Sequence, residues 1–360
     1  MMSRFAIAVL MLVLSGIASV SALERPDVEF HIFQFPADRI PSIDGKTGDW
    51  DIVPESYAIG SDELRETELG KVAGSPDPDN LKIKVKVGWV KGMNRLYFLY
   101  EADDNYWNMY YKRGDIFEVA VDGDLSGGEF INNPQIPDAG ERHFRFKGVH
   151  AQNYHIFTPP GEGRDWCMVW GCQPWIADLP YANHAYTYNF REGESGHLVL
   201  EFWITPFDHA PYDGPAGAVE SKLEENRIIG LSWAVMDMDD DRNGGGYQGF
   251  WNLSQKIRMD SNASCQVAFR LMPLEQRFRK PIEAEWSFKV IDMDRRLVAF
   301  KDLSYGKITS WRWEFDDGTT STEQNPVHQY TKPGEFVVIL NVEGPGGKAR
   351  RIKVRDVVVK

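Results

Sequence analysis

LKIKVKVGW, residues 81–89, decides the fold class of the larger part of the chain. Leu81, Ile83, Val85, Val87 and Trp89 alternate with Lys82, Lys84 and Lys86, giving one apolar and one cationic face, the period-two pattern of a half-buried strand. Outward from it the same alternation predicts strands at Arg95–Ala102, Asp115–Val121, His143–Phe146, His197–Ile204, Ile228–Met236 and Gln266–Leu271. Gly217–Arg227 alone reads as a helix. Many strands separated by Gly, Pro and Asp-rich loops imply an all-β, antiparallel sandwich of jelly-roll-like kind.

Residues 273–282 are charged, contain two Pro and lack alternation, so they read as a linker. Beyond it, short strands at Trp286–Ile291, Leu297–Lys301, Ser310–Phe315, Glu335–Val342 and Ile352–Val359 imply a second, Ig-like β-sandwich over 283–360. WRWEFDDGTTSTEQNPVHQYTKPGEF (311–336) holds acids, hydroxyls and a His that could be taken for an active site. Its order instead resembles the PKD domain signature through Trp313, Phe315, Asp317, Gly318, Asn325, Pro326, His328, Tyr330, Pro333 and Gly334. Asp316 stands where that family usually has Gly, and Asp tolerates a left-handed backbone better than most residues. The resemblance implies a non-catalytic spacer or adhesion module, with His328 bonded in a turn.

Upstream, IDGKTGDWD (43–51), LYFLYEADDN (96–105), GDIFEVAVDGD (114–124), HLVLEFWITPFD (197–208) and IIGLSWAVMDMDDD (228–241) follow in order. This order resembles the carbohydrate-binding module family 9-like sandwiches, related to DOMON domains, over residues 23–272. What the resemblance implies is sugar binding with structural calcium.

Chemistry points the same way. A pyranose has apolar C–H faces and a hydroxyl rim, so its site needs a flat ring flanked by polar groups. Aromatic content is 13%, with 12 Trp, and the rings cluster in two loops. Trp107 and Tyr110, with Arg113 beside them, lie in 103–115. Trp166, Trp170 and Trp175 lie in 164–181 around Cys167 and Cys172, which are spaced for a small disulfide loop. Packing against the open end of the sandwich is the competing role for each ring. Two Asp-rich loops carry the opening of a calcium loop, Asp239-x-Asp241-x-Asn243-Gly244 and Asp122-x-Asp124-x-Ser126-Gly127. Neither has the closing Glu, which excludes an EF-hand.

Arg4, the apolar run to Ala18 and Val20-Ser21-Ala22 read as a signal peptide over 1–22, cut after Ala22, which implies a secreted or periplasmic protein. No later run suffices for a membrane helix. A net charge of −13 argues against nucleic acid as partner. G-x-S-x-G, H-E-x-x-H and P-loop patterns are missing. His150, His155 and His184 lack metal-ligand spacing and are expected on the surface or in turns. The expectation is therefore a non-catalytic binder of oligosaccharide or polysaccharide. A glycan hydrolase with a carboxylate pair hidden among 53 acids is the first rival. An electron-transfer subunit with haem held by Met109, Met168, Met236 or Met238 is the second, and haem is not expected.

Overall fold

A computed structural model describes residues 23–70, 74–109, 114–131, 133, 135–161, 166–239 and 246–360. The expected signal peptide lies outside them, as do Tyr110, Arg113, Asp241 and Asn243. The chain divides into two compact units, Met1–Leu274 and Glu275–Lys360. Both are β-sandwiches, and among the described residues no helix is long and apolar enough to cross a membrane.

In the larger unit the strands are β1 (Glu29–Gln34), β2 (Ile59–Gly60), β3 (Arg65–Glu66), β4 (Leu81–Val90) and β5 (Met93–Asp104). They continue with β6 (Ile116–Asp122), β7 (Gln152–Ile156), β8 (Cys167–Val169), β9 (Ala182–Tyr188) and β10 (Gly196–Ile204). Last come β11 (Phe207–His209), β12 (Val219–Glu220), β13 (Ile228–Met238), β14 (Tyr247–Asn252) and β15 (Val267–Leu271). Ten of them run in the order β8-β7-β6-β13-β15-β1-β4-β5-β10-β9. β1 is the seam between the two layers. Its first four residues pair in parallel with β15 and its last two in parallel with β4.

The apolar face of 81–89 is buried as its alternation requires, from Leu81 at 1% exposure to Trp89 at 0%. Rings join the layers inside the sandwich. Phe98 stacks on Phe202 at 4.6 Å and Tyr100 on Phe117 at 4.1 Å. One lysine departs from the simple pattern. Lys86 is buried, its ammonium donating to Val53 O at 3.0 Å and Glu55 Oε1 at 2.6 Å, because the turn at 53–57 covers that end of the outer face.

Two elements differ from their sequence reading. His143–Phe146 is not a strand but the end of helix α1 (Ala139–Phe146). Four residues cannot separate a period of two from 3.6, whereas Asp138 caps the helix by accepting the Glu141 amide at 2.6 Å. Residues 217–227 are not helical. Val219–Glu220 pairs with β11, and the Ser221 hydroxyl donates to Asp208 Oδ1 at 2.6 Å, so tertiary pairing overrides a helical pattern.

The smaller unit contains β16 (Trp286–Asp292), β17 (Leu297–Asp302), β18 (Ser310–Glu314), β19 (Thr320–Ser321), β20 (Val327–Gln329), β21 (Gly334–Gly344) and β22 (Gly347–Val359). They form sheets β16-β17-β20 and β19-β18-β21-β22 over a core of Trp286, Phe300, Trp313, Phe315, Tyr330 and Leu340. The cluster at 311–336 is scaffold here. His328 Nε2 lies 2.7 Å from Asp317 Oδ2 and its ring stacks on Phe315 at 4.1 Å, while Asp316 turns the chain at φ 65°.

Candidate functional site

Two polar centres stand out in the larger unit. The first lies where β5, β6 and β13 converge. Asp104, Asp115 and Asp237 each bring a carboxylate oxygen within 4.8 Å of the others. Asp115 accepts the Asn108 amide at 2.7 Å and the Met238 amide at 2.8 Å, and Asp104 accepts the Tyr106 amide at 3.0 Å. Asp237 Oδ2 accepts from Asn80 Nδ2 at 2.7 Å and Trp251 Nε1 at 3.3 Å, but its buried Oδ1 has no partner.

Burial, then repulsion from neighbouring carboxylates, raises all three. Asp104 is pushed up to about 7 and Asp237 to about 8, with the Asp239 charge contributing to both, and Asp115 moves up strongly. A cavity of about 10 Å³, room for one water-sized sphere, borders Asp104 and Asp115. Clustered hard oxygens, one of them orphaned and buried, suit a hard divalent cation of the calcium type. Of the expected calcium residues that are described, Asp239 lies beside this centre. In the other loop Asp122 accepts the Ser126 and Gly127 amides at 3.2 and 2.8 Å, and Asp124 accepts the Ser126 amide at 3.0 Å, so that turn closes on itself.

The second centre lies on the outer face of β6 and β7. Phe117, Val119 and Val121 point into the core, so Glu118 and Ala120 lie on the opposite face, across from His155 and Asn153, where a second apolar cluster including Phe130, Phe250 and Met259 buries them. Asn153 Nδ2 donates to Glu118 Oε1 at 2.8 Å, and His155 Nε2 lies 3.3 Å from the same oxygen. That separation allows an ion pair if the ring is protonated, but the alignment is too poor for a hydrogen bond. Trp170 is set above them by its amide, which donates to Asn153 O at 2.9 Å. Its ring is stacked with His155 at 5.1 Å and is 41% exposed.

Lys147, the residue that ends α1, places its ammonium 4.4 Å from the centre of the Trp170 ring. Lys147 is only 6% exposed, yet among the described residues its ammonium has no hydrogen bond and no carboxylate within ion-pair distance. Burial lowers its pKa, with Asp260 and Glu118 opposing, and burial plus Glu118 raises Asp260. The Asn153 Oδ1 acceptor is buried and unpartnered. The arrangement thus combines a part-exposed indole, an ammonium without a hydrogen bond among the described residues and a buried, unpartnered acceptor.

The other expected platforms are packed. Trp107 is 4% exposed, stacked on Phe190 at 4.4 Å with its N–H on Gly196 O, so it is a core residue. Trp166 lies on His184 at 4.2 Å, and Trp175 donates to Pro211 O at 3.0 Å with its edge on Phe207. The disulfide is not formed, and Cys167, Cys172 and Cys265 are free thiols. Cys167 is buried in the core from β8, while Cys172, past the turn, donates its amide to Lys147 O. Of the three His expected on the surface or in turns, His150 lies in the bend after α1, while His155 and His184 are half-buried in strands β7 and β9. His155 and His184 stack under Trp rings, and His150 has a buried, unpartnered Nε2. Sequence reading missed Glu118, Lys147, Asn153, Asp260, Asp104, Asp115 and Asp237. Its available signal was Glu118, a charge in the middle of the otherwise apolar strand IFEVAV.

Residues 295–359 match the family model described as PKD domain. Collagenase ColA of Bacillus cereus is 43% identical over 53 residues, which is 15% of this chain and 6% of that protein. The chain therefore spans a small fraction of the collagenase it matches. A carbohydrate binding module family 9 from Caldicellulosiruptor kristjanssonii, solved in complex with cellotriose, is 14% identical, covering 69% of this chain and 96% of that one at a TM-score of 0.42. The PKD1 domain of the Vibrio cholerae metalloprotease PrtV is 30% identical, covering 21% of this chain and 96% of that one at a TM-score of 0.18. Residues 295–359, with the signature residues Trp313, Phe315, Asp317 and His328 packed as described, form a PKD domain following a larger β-sandwich.

Proposed function

We propose that the larger sandwich binds carbohydrate in the Trp170 pocket, that the protein is exported, and that the PKD domain serves as its spacer. The observation that carries this reading is a lysine ammonium without a hydrogen bond among the described residues, Lys147 Nζ, and a buried, unpartnered acceptor, Asn153 Oδ1, beside a half-exposed indole. Unsatisfied buried polar groups cost about 1–3 kcal/mol each, so they persist where a ligand completes them. Sugar hydroxyls accept from an ammonium and donate to an amide or carboxylate oxygen, and a pyranose face covers an indole. The five ordered motifs that resemble family 9-like modules agree with this chemistry.

At the first centre, Asp104, Asp115, Asp237 and Asp239 would hold a structural calcium ion. The ion would neutralise the cluster and tie the ends of β5, β6 and β13 together.

One observation favours a hydrolytic reading as the rival. Burial first and then the nearby Glu118 charge raise the Asp260 carboxyl, as the acid of an acid–base pair would be raised. A glycan array run beside an assay of reducing-sugar release separates the two. Binding without release supports the proposal, and release abolished by Asp260→Asn or Glu118→Gln would replace it with hydrolysis.

A further inference from the structure

The two units differ in charge. Residues 275–360 contain 16 Lys and Arg against 13 Asp and Glu, although the whole chain has a net charge of −13. The excess collects on β22, which forms the edge of its sheet and carries Lys348, Arg350, Arg351, Lys353 and Arg355 against Asp356 alone. Strand register places Arg312, Asn341 and Arg350 side by side across β18, β21 and β22, so all three share one face. Two strand spacings separate the backbones of Arg312 and Arg350, roughly 9–10 Å. Arg312, Asn341, Lys348 and Arg350 help line a surface depression of about 390 Å³.

The acids on this face are Glu314 and Glu343. Arg312 Nε lies 3.7 Å from Glu314 and Lys348 Nζ 3.0 Å from Glu343, with the two basic side chains 66% and 77% exposed. Exposed pairs of this kind contribute about 0–1 kcal/mol, so an incoming carboxylate competes with them readily. Arg350 has no ion pair or side-chain hydrogen bond among the described residues, which leaves a whole guanidinium fork free for a bidentate contact. Basic residues on an edge strand also discourage edge-to-edge pairing. That role does not account for Arg312, which lies on a strand with neighbours on both sides, nor for the depression between the two arginines.

We propose that this face of the PKD domain binds a linear, carboxylated polysaccharide, with carboxylates on Arg350 and Arg312 and the chain laid across the strands. The spacing of the two arginines suits acidic groups repeated along an extended chain. This site is separate from the Trp170 pocket and does not depend on it.

The test is binding of the full chain to polygalacturonate, to the same polymer methyl-esterified, and to neutral dextran, at low and at raised salt. Polygalacturonate alone should bind through this face, and weaken as salt rises. Arg350→Gln should weaken it about ten-fold, Arg350→Lys less, and Arg312→Gln/Arg350→Gln to near loss. Lys289→Gln/Arg295→Gln, which removes equal charge from elsewhere in the unit, should leave it unchanged. Thermal unfolding of each variant establishes that it is folded. Equal binding of the acid and esterified polymers, or unchanged binding by the double variant, would overturn the proposal. So would sedimentation showing that the basic face instead joins two copies of the chain.

Discussion

The Trp50 indole N–H donates to Glu201 Oε1 at 2.8 Å, joining the IDGKTGDWD loop to the middle of β10. The other oxygen, Glu201 Oε2, accepts the amides of Asp44, Gly45 and Lys46 at 3.1, 2.7 and 3.0 Å. One buried carboxylate therefore satisfies four donors of a loop that has little regular structure of its own. Glu201→Ala should destabilise the larger unit by about 3 kcal/mol, because it strands those donors. Denaturant unfolding followed by tryptophan fluorescence measures it, and a loss below experimental scatter would show that the loop is held by other contacts.

If the aspartate centre holds calcium as proposed, stability should depend on pH and on calcium together. Without a cation, the folded pKa values of about 7 for Asp104 and about 8 for Asp237 exceed the unfolded value near 4. The folded state then holds protons that the unfolded state releases, so stability falls as pH rises from about 4 to about 8. Calcium should reverse this, raising Tm at pH 8 by about 5–10 °C at hundred-fold saturation and by less at pH 5. Thermal scans with calcium and with a chelator at both pH values check it. Superimposable curves would remove the metal from the account.

Asp237→Asn should abolish the calcium effect and, in chelator, make the protein less sensitive to alkaline pH than the wild type. It removes one of the like charges while an amide oxygen and N–H remain at the site. If the variant responds to calcium as the wild type does, the ion sits elsewhere.

In the PKD domain, burial pushes the Asp317 carboxyl up, but bonds from Thr319 and His328 outweigh it and hold it below the usual range. A depressed carboxylate stabilises the fold above the unfolded pKa near 4, and that stability is lost as pH falls through the folded pKa. Asp317→Asn should cost about 1–2 kcal/mol at neutral pH and flatten the acid limb. Hydrogen exchange across residues 310–330 reads this locally, and an unchanged acid limb would show that the pair is without energetic consequence.

The fold was legible in the sequence wherever alternation ran long enough. Residues 81–89 form a strand with the expected face buried, and the signature of the PKD domain places Trp313, Phe315 and His328 in contact. It was not legible where a pattern is short, as at 143–146, or where pairing decides, as at 217–227. The site was less legible than the fold. Ring count suggested four tryptophans, but exposure depends on which face of which strand lies beneath each one. Glu118 belongs to the pocket because His155 is its cross-strand partner, and Lys147 because a helix ends there. The acidic cluster of Asp104, Asp115 and Asp237 was not legible, because these residues lie far apart in the chain and meet only when β5, β6 and β13 are side by side.

Calorimetric titration of the full chain with a panel of oligosaccharides, for the wild type and for Trp170→Ala, Lys147→Met and Trp107→Phe, tests the central claim most directly. The account predicts saturable binding that weakens about ten- to thirty-fold on losing the indole and about ten-fold on losing the ammonium, while Trp107→Phe binds as the wild type does. A Trp170→Ala protein that binds sugar undiminished would contradict it.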